Sequence, residues 1–277
     1  MARKVPRAPV VSDRPLVLGH RGASADAPEN TLAAFREALA QGADGVELDV
    51  WRCASGEVVV THDERTARVA DADLCVPDAP LAALRALDVG AWKGARYRGE
   101  RIPLLAEVLE ALPGAVVNVE LKSRGRDLRL AQAAARVVER AGAGGRVLVS
   151  SFDWRLVVAF RLAAPHVPVG LLFEGGHRWR LRLWAALRLL GPSAVHPDRS
   201  LVTEARARRW RARGLAVNVW TVDDGAEARA LAKLGAAALI TNVPARIREA
   251  LRTGGVAQNS QPSFAAAEND EGTVKSP

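Results

Sequence analysis

Residues 45–62, GVELDVWRCASGEVVVTH, contain two β-rich runs with only a short connection between them. The first run is Gly45–Trp51 and the second is Glu57–Thr61. Parallel neighbours need a crossover of about a dozen residues, usually a helix, and this connection is far too short for one. The two runs are therefore predicted to form an antiparallel hairpin.

The hairpin also suggests which side chains meet across it. If residues 53–56 make the turn, Arg52 faces Glu57 and Glu47 faces His62. This assumed register predicts that His62 lies beside the acidic strand.

On either side of the hairpin, short β-rich runs alternate with helical patterns. The main predicted strands are Leu16–Gly19, Gly45–Trp51, Val117–Leu121, Val147–Ser150, Val169–Phe173, Ala194–His196, Ala216–Thr221 and Ala238–Thr241. The predicted helices are Thr31–Ala40, Leu104–Leu112, Asp127–Ala141, Trp154–Ala163, Arg178–Leu190, Glu204–Arg213, Ala226–Leu234 and Ala245–Leu251. Eight main strands that alternate with helices favour an α/β barrel over an open sheet. The sequence has no GxGxxG or Walker-type loop, which argues against a dinucleotide-binding fold.

The chain length and the local composition predict one folded domain between two tails. The 277 residues are close to the roughly 250 of a typical (β/α)8 barrel. Residues 1–13 form a basic N-terminal tail, and the polar residues 253–277 form a disordered C-terminal tail. Residues 14–252 form the barrel, with an irregular insertion over about 64–100 that follows the hairpin.

The chain is basic, with 39 Lys and Arg against 31 Asp and Glu and a formal net charge of +8. Such an excess can indicate nucleic acid, an anionic membrane surface or an anionic substrate. It can equally reflect a bias toward Ala and Arg throughout the chain. No nucleic-acid-binding motif and no basic patch with interleaved aromatic residues is present, so no nucleic-acid partner is predicted.

The sequence also predicts a cytoplasmic protein. Its two cysteines, Cys53 and Cys75, make no disulfide framework and fit no zinc spacing. The N-terminus lacks the apolar run of a signal peptide. No window reaches the roughly 18 apolar residues that cross a membrane.

Acidic residues concentrate at the ends of two predicted strands. Glu47 and Asp49 are two residues apart, so both carboxylates point to one face, and Glu120 and Lys122 share a face in the same way. Three carboxylates in one barrel mouth repel one another unless a cation lies among them. Oxygen ligands favour Mg²⁺ or Ca²⁺ over zinc. Ordinary ion pairs with the many arginines remain the alternative.

Two of the five histidines, His20 and His62, end β-rich runs next to these acids. Two imidazoles on either side of a phosphorus centre can act as general base and general acid. A structural role for either histidine remains open. His196 also ends a predicted strand and is a weaker candidate for the pocket.

Six short motifs lie in order between about residues 15 and 252. They are His20-Arg-Gly-Ala, Pro28-Glu-Asn-Thr31, Glu47-Leu-Asp-Val50, His62-Asp63, Glu120-Leu-Lys122 and Trp220-Thr-Val222. Taken together, they resemble the motifs of the glycerophosphodiester phosphodiesterase family. The resemblance implies a TIM-type barrel with a segment inserted after the His-Asp pair.

The resemblance also implies a role for each matching residue. His20 and His62 become the acid–base pair, and Glu47, Asp49 and Glu120 become ligands of one divalent cation. The phosphate is then held by Arg21 and Lys122, and the substrate pocket is formed by Trp220, Glu29 and Asn30. A helix cap is an equally weighted alternative for Asn30. Asn242 stands where the family usually has Asp, and only local hydrogen bonding is expected to change.

The expected function is metal-dependent hydrolysis of glycerophosphodiesters to sn-glycerol 3-phosphate and an alcohol. One alternative is cleavage of lysophospholipids at a membrane, by the same chemistry, with contact through Arg178–Leu190. That segment also fits an outer barrel helix with its apolar face inward. A second alternative is a non-catalytic barrel that binds phosphodiesters. The sequence does not define the oligomeric state.

Overall fold

The structure, a computed structural model, describes residues 14–122, 127–175 and 191–253. The predicted N-terminal tail and nearly all of the predicted C-terminal tail lie outside these ranges. The predicted helix Arg178–Leu190 also lies outside them. The predicted domain boundaries at residues 13 and 252 therefore stay predictions.

Eight parallel strands of the described residues close into a barrel, and a ninth short strand pairs antiparallel beside them. They are β1 (Leu16–His20), β2 (Gly45–Arg52), β3 (Val58–Val60), β4 (Val116–Leu121), β5 (Val147–Ser151), β6 (Val169–Phe173), β7 (Ala194–Pro197), β8 (Ala216–Val219) and β9 (Ala238–Thr241). Closure is completed by β1, which pairs with both β2 and β9. The fold is a TIM-type (β/α)8 barrel, as the alternating pattern predicted.

Helices of the described residues follow most strands. They are α1 (Leu32–Ala40), α2 (Leu81–Ala86), α3 (Leu105–Ala111), α4 (Arg129–Arg140), α5 (Trp154–Ala163), α6 (Glu204–Arg211), α7 (Gly225–Lys233) and α8 (Pro244–Thr253). Side chains of Thr31, Asp153, Thr203 and Asp224 cap the first turns of α1, α5, α6 and α7. Most predicted helix ends lie within two residues of the observed ones. Strand β8 is shorter than predicted, because it ends at Val219 rather than Thr221.

The barrel strands are buried along almost their whole length, as expected where helices cover a parallel sheet. Their apolar side chains join those of the surrounding helices in one large cluster. At the carboxyl ends this apolar pattern gives way to buried polar residues. The barrel therefore supplies a rigid frame for polar groups at one end.

The hairpin exists, but its predicted register is wrong by one residue. Arg52 pairs with Val58 rather than with Glu57. The turn is one residue longer than assumed, because Glu57 belongs to it and its carbonyl accepts a hydrogen bond from Cys53 N–H. In this register the hairpin would set His62 on the opposite face from Glu47. His62 reaches the acidic side because the pairing stops after Thr61, whose N–H donates to the Asp49 carbonyl, and the chain bends from His62 onward.

One edge of strand β2 pairs with β4, and the other edge is divided between two neighbours. Its first residues pair with β1, from Gly45 to Glu47, and its last residues pair with β3, from Val50 to Arg52. The hairpin thus continues from the barrel wall where β1 has ended. This arrangement delivers residues 61–63 to the rim without interrupting the barrel's own hydrogen bonds.

The predicted insertion has more regular structure than its sequence suggested. It contains α2 and 3₁₀ turns at Thr66–Arg68, Val76–Asp78 and Ala95–Tyr97. Its apolar residues form a separate small cluster with the outer side of the hairpin, including Trp51, Val59 and Leu84. The insertion therefore packs on the hairpin and not into the main core.

Candidate active site

The carboxyl ends of the barrel strands surround a cavity of about 220 Å³. It is lined by His20, Arg21, Glu47, His62, Asn118, Glu120, Lys122, Phe152, Leu172, Glu174, Trp220 and Ile240. Active sites of TIM barrels lie at this end. Seven of these twelve lining residues belong to the set predicted from the sequence.

The three predicted acids form one buried cluster. Carboxylate oxygens of Glu47, Asp49 and Glu120 all lie within 4.8 Å of one another. The three residues expose only 4%, 1% and 6% of their surface. Asp49 pairs with Glu120 in the β2–β4 register, so adjacent strands hold the group in place. The arrangement is one that could hold a metal ion.

Burial and mutual repulsion act strongly on the protonation of these acids. Burial, with the charges of Asp49 and Glu120, raises the pKa of Glu47 well above its usual range. The pKa of Glu120 is raised to about 7, mainly by burial. The positive charge of Lys122 opposes this increase, and the negative charge of Asp49 adds to it. Burial also disfavours ionised Asp49, but Lys122 and Arg21 outweigh it and hold its pKa below its usual value. Two of the three carboxyl groups thus favour protonation when no cation is bound.

Two side-chain cations partly compensate the acidic cluster. Lys122 Nζ lies 2.5 Å from Glu120 Oε1 and 3.1 Å from Asp49 Oδ1. Arg21 Nε lies 3.4 Å from Asp49 Oδ2. When all three carboxyl groups are ionised, as cation ligands must be, the two side-chain cations leave a net charge of −1 in this part of the described site. A divalent cation fits that charge balance.

The turn after β1 holds Arg21 in a left-handed backbone conformation, with φ 55°. Arg21 N–H donates to Glu47 Oε2 at 3.1 Å, and the Arg21 carbonyl accepts from Asn30 N–H at 3.0 Å. The next residue, Gly22, packs on α1 so closely that an added Cβ would lie 2.5 Å from a backbone atom of Ala34. The His-Arg-Gly motif is therefore a tight turn that directs Arg21 toward the acids.

His20 is fixed through one ring nitrogen. Its Nδ1 lies 2.7 Å from Asn242 Oδ1, and the Asn242 amide nitrogen donates to Asp223 Oδ2 at 2.7 Å. Because the carboxylate is an acceptor, the amide oxygen must face the ring, so His20 Nδ1 carries the proton. This leaves Nε2 on the cavity side, 4.0 Å from Glu47 Oε2. Burial lowers the pKa of His20, and the Arg21 charge lowers it further, so the neutral form is favoured.

His62 is held in a similar way by its neighbour in the chain. Its Nδ1 lies 2.6 Å from Asp63 Oδ1. Asp63 accepts through both oxygens, from His62 and from Arg68, so the Nδ1 of His62 is the protonated nitrogen. Burial lowers the pKa of His62. Both histidines therefore favour the neutral form, with Nε2 available to the cavity.

The Pro-Glu-Asn motif supports the site from behind the cavity. Thr31, not Asn30, caps α1, so the helix-cap alternative for Asn30 is wrong. Asn30 instead donates through Nδ2 to Asp49 Oδ2 at 2.9 Å. Glu29 accepts from Arg21 at 2.9 Å. Neither Glu29 nor Asn30 is among the residues that line the cavity; Glu29 orients Arg21, which does line it, and Asn30 orients Asp49 of the acidic cluster.

Aromatic residues form the opposite wall. Trp220 Nε1–H donates to the His196 carbonyl at 2.9 Å, which fixes the indole. The Phe152 ring stacks edge-on against Trp220 at 5.6 Å between centroids. Phe152 remains 40% exposed, so this wall extends the cavity toward solvent.

His196 does not belong to the cavity. It is fully buried in the barrel interior, and its Nε2 lies 3.1 Å from Asn218 Nδ2. Burial lowers the pKa of His196 to about 3. The weaker sequence candidate is therefore a core residue.

Sequence reasoning missed several residues that organise the site: Asn118, Phe152, Arg68, Asp223 and the contact of Asn242 with His20. The departure at Asn242 changes more than local hydrogen bonding, because it touches a candidate catalytic histidine. The Asn-x-Glu pattern of β4 could have indicated Asn118, since residues two apart share a face. No sequence pattern distinguishes Arg68 from the many other arginines of the chain.

The raised pKa of Glu120 predicts how the metal-free protein responds to pH. A folded-state pKa of about 7 lies above the unfolded value of about 4.3, so the folded protein binds this proton more tightly. Stability linked to Glu120 is therefore greatest below pH 4.3 and falls as the pH rises toward 7. We expect urea unfolding in EDTA to show that E120Q gains up to about 3 kcal/mol relative to wild type across this window. An equal pH dependence in both proteins would contradict the expectation.

The site and the fold together indicate a kind of chemistry. Two histidines line the same cavity as carboxylates of a cluster that could hold a cation, at the end of the barrel where active sites of this fold lie. Such a combination is suited to metal-assisted hydrolysis of phosphate esters.

Comparisons with known proteins give the family. The model of the glycerophosphoryl diester phosphodiesterase family matches residues 20–246. A glycerophosphodiester phosphodiesterase from Caldanaerobacter subterraneus subsp. tengcongensis is 34% identical over 249 residues, which cover 87% of this chain and 99% of that protein. The chain belongs to the glycerophosphoryl diester phosphodiesterase family and is a phosphodiesterase. This assignment replaces the alternative of a non-catalytic barrel.

Solved structures agree with the family. A phosphodiesterase from Oleispira antarctica, solved in complex with the product sn-glycerol-3-phosphate, has a TM-score of 0.79 and 31% identity. The match covers 86% of this chain and 97% of that one. A glycerophosphodiester phosphodiesterase from Agrobacterium tumefaciens has a TM-score of 0.71 and 27% identity, with 85% and 99% of the two chains covered.

Among the helices in the described ranges, none combines the length and the apolarity needed to cross a bilayer.

Proposed function

We propose that this protein hydrolyses glycerophosphodiesters to sn-glycerol 3-phosphate and an alcohol, with a divalent cation and two histidines as the catalytic groups. The observation that carries the proposal is one cavity in which His20 and His62, each bonded through Nδ1, face Glu47 and Glu120. The product bound in the Oleispira antarctica relative supports the same products here.

Glu47, Asp49 and Glu120 are the residues that would hold the cation. The donor set fits, since its three buried carboxylates repel one another and outnumber the two nearby side-chain cations. Mg²⁺ and Ca²⁺ both prefer such oxygen ligands. When bound, the cation supplies positive charge that stabilises the negative charge on the phosphoryl oxygens.

The histidines move the protons. One neutral imidazole accepts the proton of the glycerol 2-hydroxyl through Nε2 as that oxygen attacks phosphorus. The other imidazole is protonated when the negatively charged phosphodiester binds beside it, and it donates this proton to the oxygen of the departing alcohol. Water then opens the cyclic phosphate as the two imidazoles exchange roles, one taking the proton of water and the other returning a proton to the glycerol 2-oxygen. Both Nδ1 atoms are already engaged by Asn242 and Asp63, so each ring presents one nitrogen to the substrate.

Arg21 and Lys122 hold the phosphate in this scheme. Both line the cavity, and both have pKa values above their usual ranges because the surrounding carboxylates outweigh the effect of burial. They therefore stay charged throughout catalysis. Trp220 and Phe152 close the opposite wall and contact the non-phosphate parts of the substrate.

Product analysis with glycerophosphocholine tests which bond breaks. We expect sn-glycerol 3-phosphate and free choline, both lost when EDTA removes the cation. Release of phosphocholine and glycerol instead would overturn the bond assignment. Heat-denatured protein in the same buffer serves as the blank.

Lysophosphatidylcholine, assayed in parallel, separates the alternative substrate class. Faster release of choline from it than from glycerophosphocholine would favour cleavage at a membrane surface. The predicted membrane contact through Arg178–Leu190 lies outside the described residues and stays a prediction. A cytoplasmic location is likewise proposed, supported by Cys53 and Cys75 forming no disulfide in the described residues.

A further inference from the structure

A row of alternating charges crosses the rim from His62 to Arg21. His62 Nδ1 lies 2.6 Å from Asp63 Oδ1, and Arg68 Nε donates to the other Asp63 oxygen at 2.6 Å. The two terminal nitrogens of Arg68 donate to both oxygens of Glu29, at 2.7 and 2.8 Å. Glu29 in turn accepts from Arg21 at 2.9 Å. The Arg68 guanidinium thus connects Asp63, which contacts His62, to Glu29, which contacts the proposed phosphate-binding residue Arg21.

Arg68 reaches this place from the insertion. It ends the 3₁₀ turn Thr66–Arg68, whose Thr66 side chain is anchored by hydrogen bonds to the backbone of Ala72 and Leu74. The Arg68 side chain is 46% exposed and is not among the residues that line the cavity. Its contacts in the site are with Asp63 and Glu29, so any effect on the cavity passes through these two residues.

The planar guanidinium suits two carboxylates that face it from different sides. Its Nε–H donates to Asp63, and its two terminal nitrogens donate to Glu29. A lysine ammonium cannot reproduce this arrangement of donors. All three bonds go to carboxylates that in turn contact His62 and Arg21, so the contacts of Arg68 point to a role in orienting those two residues. Without Arg68, Asp63 and Glu29 would each lose a partner that limits their rotation.

We propose that Arg68 is a positioning residue that holds Asp63 and Glu29 together, and thereby fixes the Nδ1-protonated tautomer of His62 and the orientation of Arg21. The inference rests on the roles of His62 and Arg21 in the proposed function. Residues that orient catalytic ligands from outside the site typically contribute about 10- to 100-fold to activity or affinity.

The test compares R68A and R68K with R65A as the matched control. Arg65 lies in the same segment and makes a bidentate pair with Asp73, away from the row. We expect R68A to lower kcat by about 10- to 100-fold with a smaller change in KM. R68K should recover little of the lost kcat, because the lysine charge alone does not restore simultaneous hydrogen bonds to Asp63 and Glu29. R65A should keep the kcat of the wild type.

Nitrogen NMR of histidine-labelled protein gives a readout that a merely structural role would not change. The chain has five histidines, and H62Q assigns the signal of His62 by its loss. We expect Nδ1 protonation of neutral His62 in wild type and R65A, and a shift toward the Nε2-protonated form in R68A. Thermal melts confirm that the variants are folded.

H62Q also distinguishes failure of the proposed function from failure of the proposed role of Arg68. If H62Q retains full activity, the proposed function is wrong at this residue and the inference is overturned with it. If H62Q is inactive while R68A keeps both the kcat and the tautomer of the wild type, only the inference is wrong. Full recovery of kcat in R68K would also overturn it.

Discussion

Replacing His20 or His62 with glutamine is expected to lower kcat by about 100- to 10,000-fold while the barrel stays folded. Each imidazole presents Nε2 to the cavity and is anchored through Nδ1, so glutamine removes the proton transfer and keeps much of the polarity. Steady-state kinetics on glycerophosphocholine, with circular dichroism for folding, measures the effect. The conservative size of the change makes gross misfolding a poor explanation for a loss of that magnitude.

Cation binding should persist in both histidine variants. Carboxylates form the proposed ligand set, and His20 Nε2 lies 4.0 Å from the nearest oxygen of Glu47. Calorimetric titration with Mg²⁺ and with Ca²⁺ compares their affinities with that of the wild type. If a histidine variant loses cation affinity as fully as a carboxylate variant, the proposed division of roles is wrong.

The second large effect concerns the carboxylates. A cation at about 100 times its Kd should stabilise the native protein by about 2.7 kcal/mol. For a chain of this size, that corresponds to a rise of about 5–10 °C in Tm. E47Q, D49N and E120Q should lose most of this rise, because each removes one member of the cluster.

Activity and melting should respond together in these variants. Excess cation is expected to restore part of the activity of E47Q, D49N and E120Q, and none of the activity lost in the histidine variants. The histidine variants should keep the full rise in Tm. A carboxylate variant with an unchanged rise in Tm would remove that residue from the ligand set.

The acidic cluster could be predicted from sequence because two simple rules determine it. Residues two apart on a strand share a face, and carboxyl ends of parallel strands meet at one end of a barrel. Glu47, Asp49 and Glu120 follow from these rules, once the strands are assigned from their apolar runs. Their backbone positions come from regular hydrogen bonding, which a pattern of residues can specify.

The contacts that orient the histidines could not be predicted in this way. Asn242 meets His20 across 222 positions of sequence, and Arg68 meets Glu29 across 39. These pairings depend on how loops lie over the rim, where no periodicity applies. The hairpin register failed for a related reason, since one extra turn residue shifts every pair and no motif fixes the turn length.

The separate packing of the insertion divides the chemistry between two units of unequal size. The carboxylates stand on barrel strands in the main core, whereas Arg68 stands in the insertion, which packs with the small cluster around Trp51 and Leu84. Small units open at lower free energy than large cores, so the insertion should exchange its amide hydrogens sooner than the barrel. Each such opening withdraws Arg68, and with it the contact that holds Asp63 behind His62, while leaving the carboxylates in place. On heating, turnover should therefore decline when the insertion opens. Cation binding should be lost only at the higher temperature at which the barrel unfolds.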